Sequence, residues 1–397
     1  LKQIKKNYNN NSYFVDTVLE ELNTIYGPDL VSSGGIRVFT TLNSKLQKKA
    51  EEDALHHLEF LEKKIVPRKK KLQVAAVTID NKNGAVRVML GGKNYRRSQF
   101  NRALSTNRMI GSSFKPFVYL TAMQKLNFHP GTVLIDEPTV FKLPHNKKWE
   151  PANFNDEYMG PVVLKKAFSK SLNIISAKLI FKTTPTEVVK TARKFGFKSP
   201  LPKNFSLSLG ATGASPFELA AAYSVIANLG TYKDPFYVSK IEDYQGNILY
   251  EHFVEEEKRF QPADIYPLLD MMKGVMDNGS GRVIRRMGFK YPAGGKTGTT
   301  NDFRDAWFTG FTPDLTTSVW VGYDDNESML RPNDKGVTGA HAAAPIWSLI
   351  MTEALDKGDK RGFPIPQEIR FEYANNSDGF YEPKNTPNSS VSKLSKR

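Results

Sequence analysis

Ser112 and Lys115 stand three residues apart in GSSFKPF, at the start of an apolar-periodic stretch. On a helix that spacing puts both side chains on one face, where an amine can take the hydroxyl proton without any histidine. Pro116 suits a first helical turn, in which its missing N–H is unneeded, and the positive end of a helix favours negative charge developing near Ser112. Two further clusters follow. SKSLN supplies Ser171 and Asn173, and GGKTGTT supplies Lys296, Thr297, Gly298 and Thr299 just ahead of AWFTGFT. Taken singly these are weak signals: Ser-x-x-Lys also reads as a cap beside a surface lysine, and Ser-x-Asn as a local turn. GKT ends the phosphate-binding loop of nucleotide hydrolases, but that loop needs glycine at the position of Lys290. A strand-edge group with a cation, two hydroxyls and close backbone approach at Gly298 suits a peptide ending in a free carboxylate.

The elements that must position these groups follow from periodicity. At 397 residues and 40% hydrophobic content, the chain can fill the cores of two or three domains. YFVDTVLEEL (13–22) has helical spacing, GGIRVFTTLN (34–43) reads as a strand, and SKLQKKAEEDALHHLEFLEKK as a charged amphipathic helix capped by Ser44. These form a small module, residues 1–71, closed by the basic run Pro67, Arg68, Lys69, Lys70, Lys71. From Gln73, VAAVTIDNKNGAVRVMLGG alternates and turns at Asn83 and Gly84, a hairpin that opens the next domain, 72–362. Residues 112–228 are mostly helical in pattern, and AWFTGFT and TTSVWVGYD add late strands around Pro313 and Asp314. Strands thus come from both ends with helices between. The tail, 363–397, is rich in Pro, Asn, Ser and Lys and reads as loosely ordered.

Composition removes several classes. The chain has no cysteine, which excludes disulfides and thiolate chemistry, and its six histidines lack the HExxH spacing. No metal or cofactor is expected. The net charge of +15 favours anionic surroundings, although a solvated surface accounts for it as simply. The basic run carries no interleaved aromatic residues for base stacking, so nucleic acid is not expected. No stretch of about 18 uninterrupted apolar residues could span a bilayer. The chain begins at Leu1 and reads as a piece of something longer, with any export signal or membrane anchor ahead of it.

Taken together and in this order, Ser-x-x-Lys, Ser-x-Asn and Lys-Thr-Gly resemble the active-site set of penicillin-binding proteins and serine β-lactamases. The surroundings GSSFKPFVYLTAM, WEPANFNDEYMGPVVLKKAFSKSLN and GGKTGTTNDFRDAWFTGFTPDLTTSVWVGYDD, with the 73–92 hairpin and FELAAAYSVIANLG, resemble the transpeptidase domain of bifunctional, class A penicillin-binding proteins. YFVDTVLEEL and GGIRVFTTLNSKLQ resemble the linker after their glycosyltransferase domain, which is not expected in this piece. The likeness covers most of residues 13–350. One departure is Ile110, where the family has proline before the glycine of its first motif.

The resemblance implies an α/β (α+β) fold of the penicillin-binding protein/serine β-lactamase type. That fold is a mainly antiparallel sheet with a helical region, the site between them, and here a small N-terminal linker module. It implies Ser112 as the acylated nucleophile and Lys115 as proton acceptor, its pKa lowered by burial and by Lys296. Ser171 relays a proton to the leaving amine, and Asn173 holds the substrate amide and braces Lys115. Lys296 polarises Ser171 and attracts the substrate carboxylate, Thr297 and Thr299 bond it, and backbone N–H groups of Ser112 and Thr299 receive the oxyanion. The implied partners are peptidoglycan stem peptides and β-lactam antibiotics. The implied setting is the outer face of the bacterial cytoplasmic membrane, with anchoring through a preceding segment. Two alternatives stay open. One is a β-lactamase or DD-carboxypeptidase that releases the acyl group to water, for which Glu187 and Glu218 lie between the second and third motifs. The other is a non-catalytic β-lactam sensor. Trp149, Asn153 and Trp307 read as buried packing, and Lys165 and Lys166 as a solvated face.

Overall fold

The computed structural model describes residues 12–27, 31, 35–66, 71–105, 107–143, 145–332, 335–355, 361–375 and 381–387. Its central sheet has five antiparallel strands in the order Gly294–Thr299, Asp305–Phe311, Leu315–Gly322, Gln73–Asp80, Val86–Leu90. Early and late strands therefore meet, as the pattern predicted. Gln73–Asp80 pairs along its length with Leu315–Gly322, from Gln73 opposite Gly322 to Asp80 opposite Leu315.

Successive side chains of a strand point to opposite faces, and here both faces are buried. Ala75, Val77, Ile79, Trp307, Phe311 and Trp320 enter one core, closed by the helices Pro216–Ala227 and Pro262–Asp277. Val74, Ala76, Ala306, Phe308, Val319 and Val321 enter the other, closed by Ser44–Glu62 and Ala343–Ala354. A strand without a polar face carries no clean alternation, which accounts for the continuous apolar character of AWFTGFT.

Ser44–Glu62 presents Leu46, Ala50, Ala54, Leu58 and Leu61 as one stripe toward the sheet. Its cap is Asn43, whose side chain accepts from Leu46 N–H at 3.1 Å, and Ser44 is the first helical residue. Asparagine and serine cap about equally well, and the extended backbone of Asn43, φ −90 and ψ 94, decides between them. Gln47 in this helix finishes the edge strand Val86–Leu90. Its amide donates to Met89 O and accepts from Met89 N, each at 2.9 Å, which blocks the edge from pairing elsewhere.

The helical region shares the core on the first face through Lys115–Leu126, Leu164–Lys170, Asn173–Thr183 and Pro185–Lys194. Phe117 sits at its centre, with ring centroids 5.0 Å from Phe195, 5.1 Å from Phe197 and 6.2 Å from Tyr223, all edge to face. Such pairs contribute about 0.5–1.5 kcal/mol each beyond burial, and they fix the helix that Lys115 begins.

The composition of the tail misled in part. Phe363 packs on Phe311 with centroids 5.7 Å apart, and Ile369–Asn375 pairs antiparallel with Tyr381–Pro387. The period-2 run Ile369, Phe371, Tyr373 is a strand signal that overall polarity masks. Residues 376–380 and 388–397 of the tail and residues 67–70 of the basic run lie outside the described residues. No helix among the described residues is long and apolar enough to cross a membrane.

A close backbone contact helps hold the turn before Lys115. Gly111 N donates to Gly210 O at 3.2 Å, and a Cβ on Gly210, whose φ is +75, would stand 1.8 Å from Gly111 O. Gly210→Ala must drive these backbones apart and is expected to cost about 2–3 kcal/mol, read as a lowered urea midpoint. An unchanged midpoint would show that the contact yields without strain.

Candidate active site

Ser112 lies in a 3-10 turn, Gly111–Phe114, that runs into the Lys115–Leu126 helix. The α-helix begins only at Lys115, so the shared face has a different origin from the one the spacing suggested: in the tighter turn, side chains at i and i+3 eclipse. The turn is held from several sides. Ile110 N donates to Thr212 O at 3.0 Å, the Tyr223 hydroxyl to Ser113 O at 2.7 Å, and Trp307 Nε1 to Met109 O at 2.9 Å. Trp307 is buried as expected, and its indole also ties the sheet to the site. Trp149 packs between Phe141 and Phe205, with centroids at 5.3 and 6.4 Å.

Lys115 is fully buried. Its Nζ donates to Ser171 O at 2.7 Å and Asn173 Oδ1 at 2.8 Å, with longer contacts of 3.3 Å to Ser171 Oγ and Leu172 O. Lys296, also fully buried, donates to Ser171 Oγ at 2.8 Å and Thr297 O at 3.1 Å. All three motifs thus converge on Ser171. Among the described residues, no hydrogen bond links Lys115 Nζ to the Ser112 hydroxyl, and neither lysine pairs with a carboxylate. Burial therefore acts unopposed. It lowers the Lys115 pKa well below the ordinary lysine range, with the charge of Lys296 acting in the same direction, and it lowers Lys296 to about 7.

Ser171 adopts the left-handed conformation, φ +61 and ψ +38, as it closes the Leu164–Lys170 helix. Ser171 N donates to Phe168 O and Leu172 N to Ala167 O, both at 3.0 Å. Glycine is the usual residue in such a closure. Asn173 then opens the next helix, Asn173–Thr183, with its Nδ2 donating to Ala152 O at 2.9 Å.

The third motif is the edge strand Gly294–Thr299 of the sheet, where an extended peptide can add. A Cβ on Gly298 would stand 2.4 Å from Ile110 O and 2.5 Å from Ser113 Oγ, so only glycine lets this strand lie against the Ser112 turn. Thr299 Oγ1 accepts from Gly339 N at 3.1 Å, which leaves its own proton to donate. Thr297 Oγ1 lies 2.6 Å from Ser280 Oγ. Ser280, in GSGR, has no sequence signal of its own; only the fold brings it to the site.

Other sequence readings resolve differently. Lys165 is half-buried rather than solvated and pairs with the buried Asp270 at 2.8 Å. Glu187 is held by Lys125 at 2.8 Å and Lys190 at 2.6 Å, and Glu218 accepts from the backbone of Lys198 and from the N–H and hydroxyl of Ser199.

A model of the penicillin-binding protein transpeptidase domain matches residues 74–352. The chain belongs to this family. Penicillin-binding protein 1A of Aquifex aeolicus is 35% identical over 300 residues, which is 75% of this chain and 40% of that protein. Its counterpart in Pseudomonas aeruginosa is 33% identical over 336 residues, 71% of this chain and 40% of the relative. The chain thus spans about two fifths of the length of these relatives. Penicillin-binding protein 1A from Haemophilus influenzae superposes with a TM-score of 0.85 at 23% identity, over 96% of this chain and 76% of that one. The PonA1 protein from Mycobacterium tuberculosis, solved in complex with penicillin V, superposes at 0.76 with 24% identity, over 94% and 98% of the two chains. The expected penicillin-binding fold is the one observed.

Two outcomes test the geometry of this transpeptidase domain. Ser171→Gly relieves the left-handed strain that Ser171→Ala retains, so the glycine variant is expected to be more stable by about 1 kcal/mol in urea denaturation. Equal midpoints would mean that the backbone there is unstrained. The second concerns pH. With Lys296 lowered from 10.5 to about 7, the unfolded chain binds the extra proton between those values, so stability is full above the upper value and falls as pH drops toward the lower. The stability difference between wild type and Lys296→Met is expected to grow in favour of wild type from pH 7 to pH 10, whereas parallel profiles would contradict the depressed pKa.

Proposed function

We propose that this domain is a peptidoglycan DD-transpeptidase that cross-links stem peptides through an acyl-enzyme on Ser112. The observation that carries the reading is the convergence of two buried, uncompensated lysines on the Ser171 hydroxyl beside the Ser112 turn. A neutral Lys115 amine accepts the Ser112 proton as Oγ attacks the carbonyl carbon of the donor's D-Ala-D-Ala amide. Hydrogen bonds of this kind commonly close only when substrate is bound. The Ser171 hydroxyl, held by both amines, passes a proton to the leaving nitrogen, and D-alanine departs. An acceptor amine then attacks the Ser112 ester, and the proton returns to the serine oxygen.

Substrate recognition follows from the edge strand. Thr297 and Thr299 bond the donor carboxylate, Lys296 adds attraction to it and polarises Ser171, and Asn173 holds the substrate amide. Backbone N–H groups of Ser112 and Thr299 receive the oxyanion, where one such donor contributes about 3 kcal/mol in the transition state. The packing of Gly111 against the Thr299 backbone supports that pairing. β-Lactams acylate the same serine. The engagement of Glu187 and Glu218 by other partners favours a long-lived acyl-enzyme over hydrolysis by water. Residues 1–71 serve as a linker whose Ser44–Glu62 helix shares the core of the 72–362 domain, and 363–397 form a C-terminal tail. The native setting is the outer face of the cytoplasmic membrane, with anchoring through a preceding segment.

Incubation with a penicillin, followed by intact-mass and peptide-mapping spectrometry, is expected to show one persistent adduct on the Ser112 peptide, absent in Ser112→Ala. The same protein is expected to transfer a D-alanyl thioester donor to a D-amino acid. Rapid steady-state hydrolysis of the penicillin would make it a β-lactamase, and acylation without any transfer would make it a sensor.

A further inference from the structure

The Asn173–Thr183 helix begins without a cap of its own, because Leu172 precedes it and offers no side-chain acceptor. Asn153 supplies the acceptor from another segment. Its Oδ1 accepts from Asn173 N at 2.8 Å and Ile174 N at 3.2 Å. Its Nδ2 donates to both carboxylate oxygens of Asp136, at 2.9 and 3.0 Å, and to Glu157 O at 2.9 Å. Asp136 ends the short strand Val133–Asp136, is fully buried, and also accepts from Met159 N at 2.9 Å.

These contacts allow one orientation. The backbone N–H groups of Asn173 and Ile174 can only donate and Glu157 O can only accept, so the oxygen of Asn153 must face the helix and its NH2 must face Glu157 O and Asp136. The same loop grips Asn173 a second time, through Ala152 O and Asn173 Nδ2. That leaves Asn173 Oδ1 turned toward Lys115 Nζ, 2.8 Å away. A continuous line of hydrogen bonds therefore joins a buried carboxylate to the amine of the first motif.

We propose that Asp136 and Asn153 are positioning residues for acylation: the carboxylate orients the Asn153 amide, and the amide holds the helix start that aims Asn173 at Lys115. The proposal rests on the reading of Ser112 as nucleophile. A residue that merely filled space would alter stability and leave the chemistry of the folded molecules unchanged.

Substitutions at the pair separate these roles. Asn153→Asp sets two carboxylates against each other, and Asp136→Asn allows the Asn153 amide to turn over. The double exchange, Asp136→Asn with Asn153→Asp, restores a donor facing an acceptor and an oxygen facing the helix, while giving up the bond to Glu157 O and one of the two contacts between the side chains. Stopped-flow measurement with a fluorescent penicillin resolves pre-covalent affinity from the acylation rate constant, with thermal melts confirming that each protein is folded. Asn153→Asp is expected to slow acylation by about tenfold or more while affinity stays within about twofold, and the double exchange to recover to within about threefold of wild type. Wild-type acylation rates in folded Asn153→Asp or Asp136→Asn would overturn the proposal. A double exchange as slow as Asp136→Asn would do the same, and this comparison holds even where Asn153→Asp alone does not fold. A wild type that takes up no penicillin on Ser112 would instead remove the nucleophile reading, and this inference with it.

Discussion

Two lysine amines, both withdrawn from solvent, meet at one serine hydroxyl, and among the described residues neither pairs with a carboxylate. Withdrawing an ammonium from water costs several kcal/mol, and a buried amine avoids that cost by giving up its proton. The site therefore needs uncharged acceptors placed accurately around each Nζ, because a carboxylate would hold the proton on the amine. For Lys115 those acceptors are a backbone carbonyl of Ser171 and the amide oxygen of Asn173. Their supply explains much of the surrounding local structure: the left-handed turn at Ser171, the helix that starts at Asn173, and the distant asparagine that caps it.

Such accuracy requires rigid supports. Ser112 and Lys115 stand where a 3-10 turn meets a helix pinned by Phe117 and its aromatic neighbours. Lys296 and the two threonines stand on the edge strand of a sheet buried on both faces. The two supports touch closely at Gly111 and Gly298, where any side chain would intrude. Closeness of backbone is what lets residues far apart in sequence share one hydroxyl.

The candidate site was legible where it is local and the architecture where it is periodic. Ser112, Lys115, Ser171, Asn173 and Lys296 sit in short motifs whose order is itself a signal, and the 73–92 hairpin and late strands follow period 2. What could not be read depends on contacts between distant segments. Asn153 looks like any polar loop residue until the uncapped helix is seen beside it. Ser280 and Tyr223 act through one hydroxyl each, with no spacing to betray them. Lys165 looked solvated because Asp270, its partner, comes from a helix about a hundred residues later. Asn43 displaced Ser44 as a cap for a reason of backbone angle, which composition does not carry.

Strain alone would not have located the site. Asn127, Asn146, Asp156, Asp302 and Asn326 also have positive φ, but their short polar side chains reach that conformation at low cost. Thr184 and Leu229 share it without any of the three motifs. Ser171 differs because its unfavourable backbone coincides with two buried amines that share its hydroxyl, and the backbone and each amine reduce stability by themselves. A fold keeps several such costs at one point only when the rest of its core offsets them, and here two buried sheet faces do so. It is the coincidence of independent costs on one side chain, rather than any single departure, that marks Ser171 as the centre on which the three motifs depend.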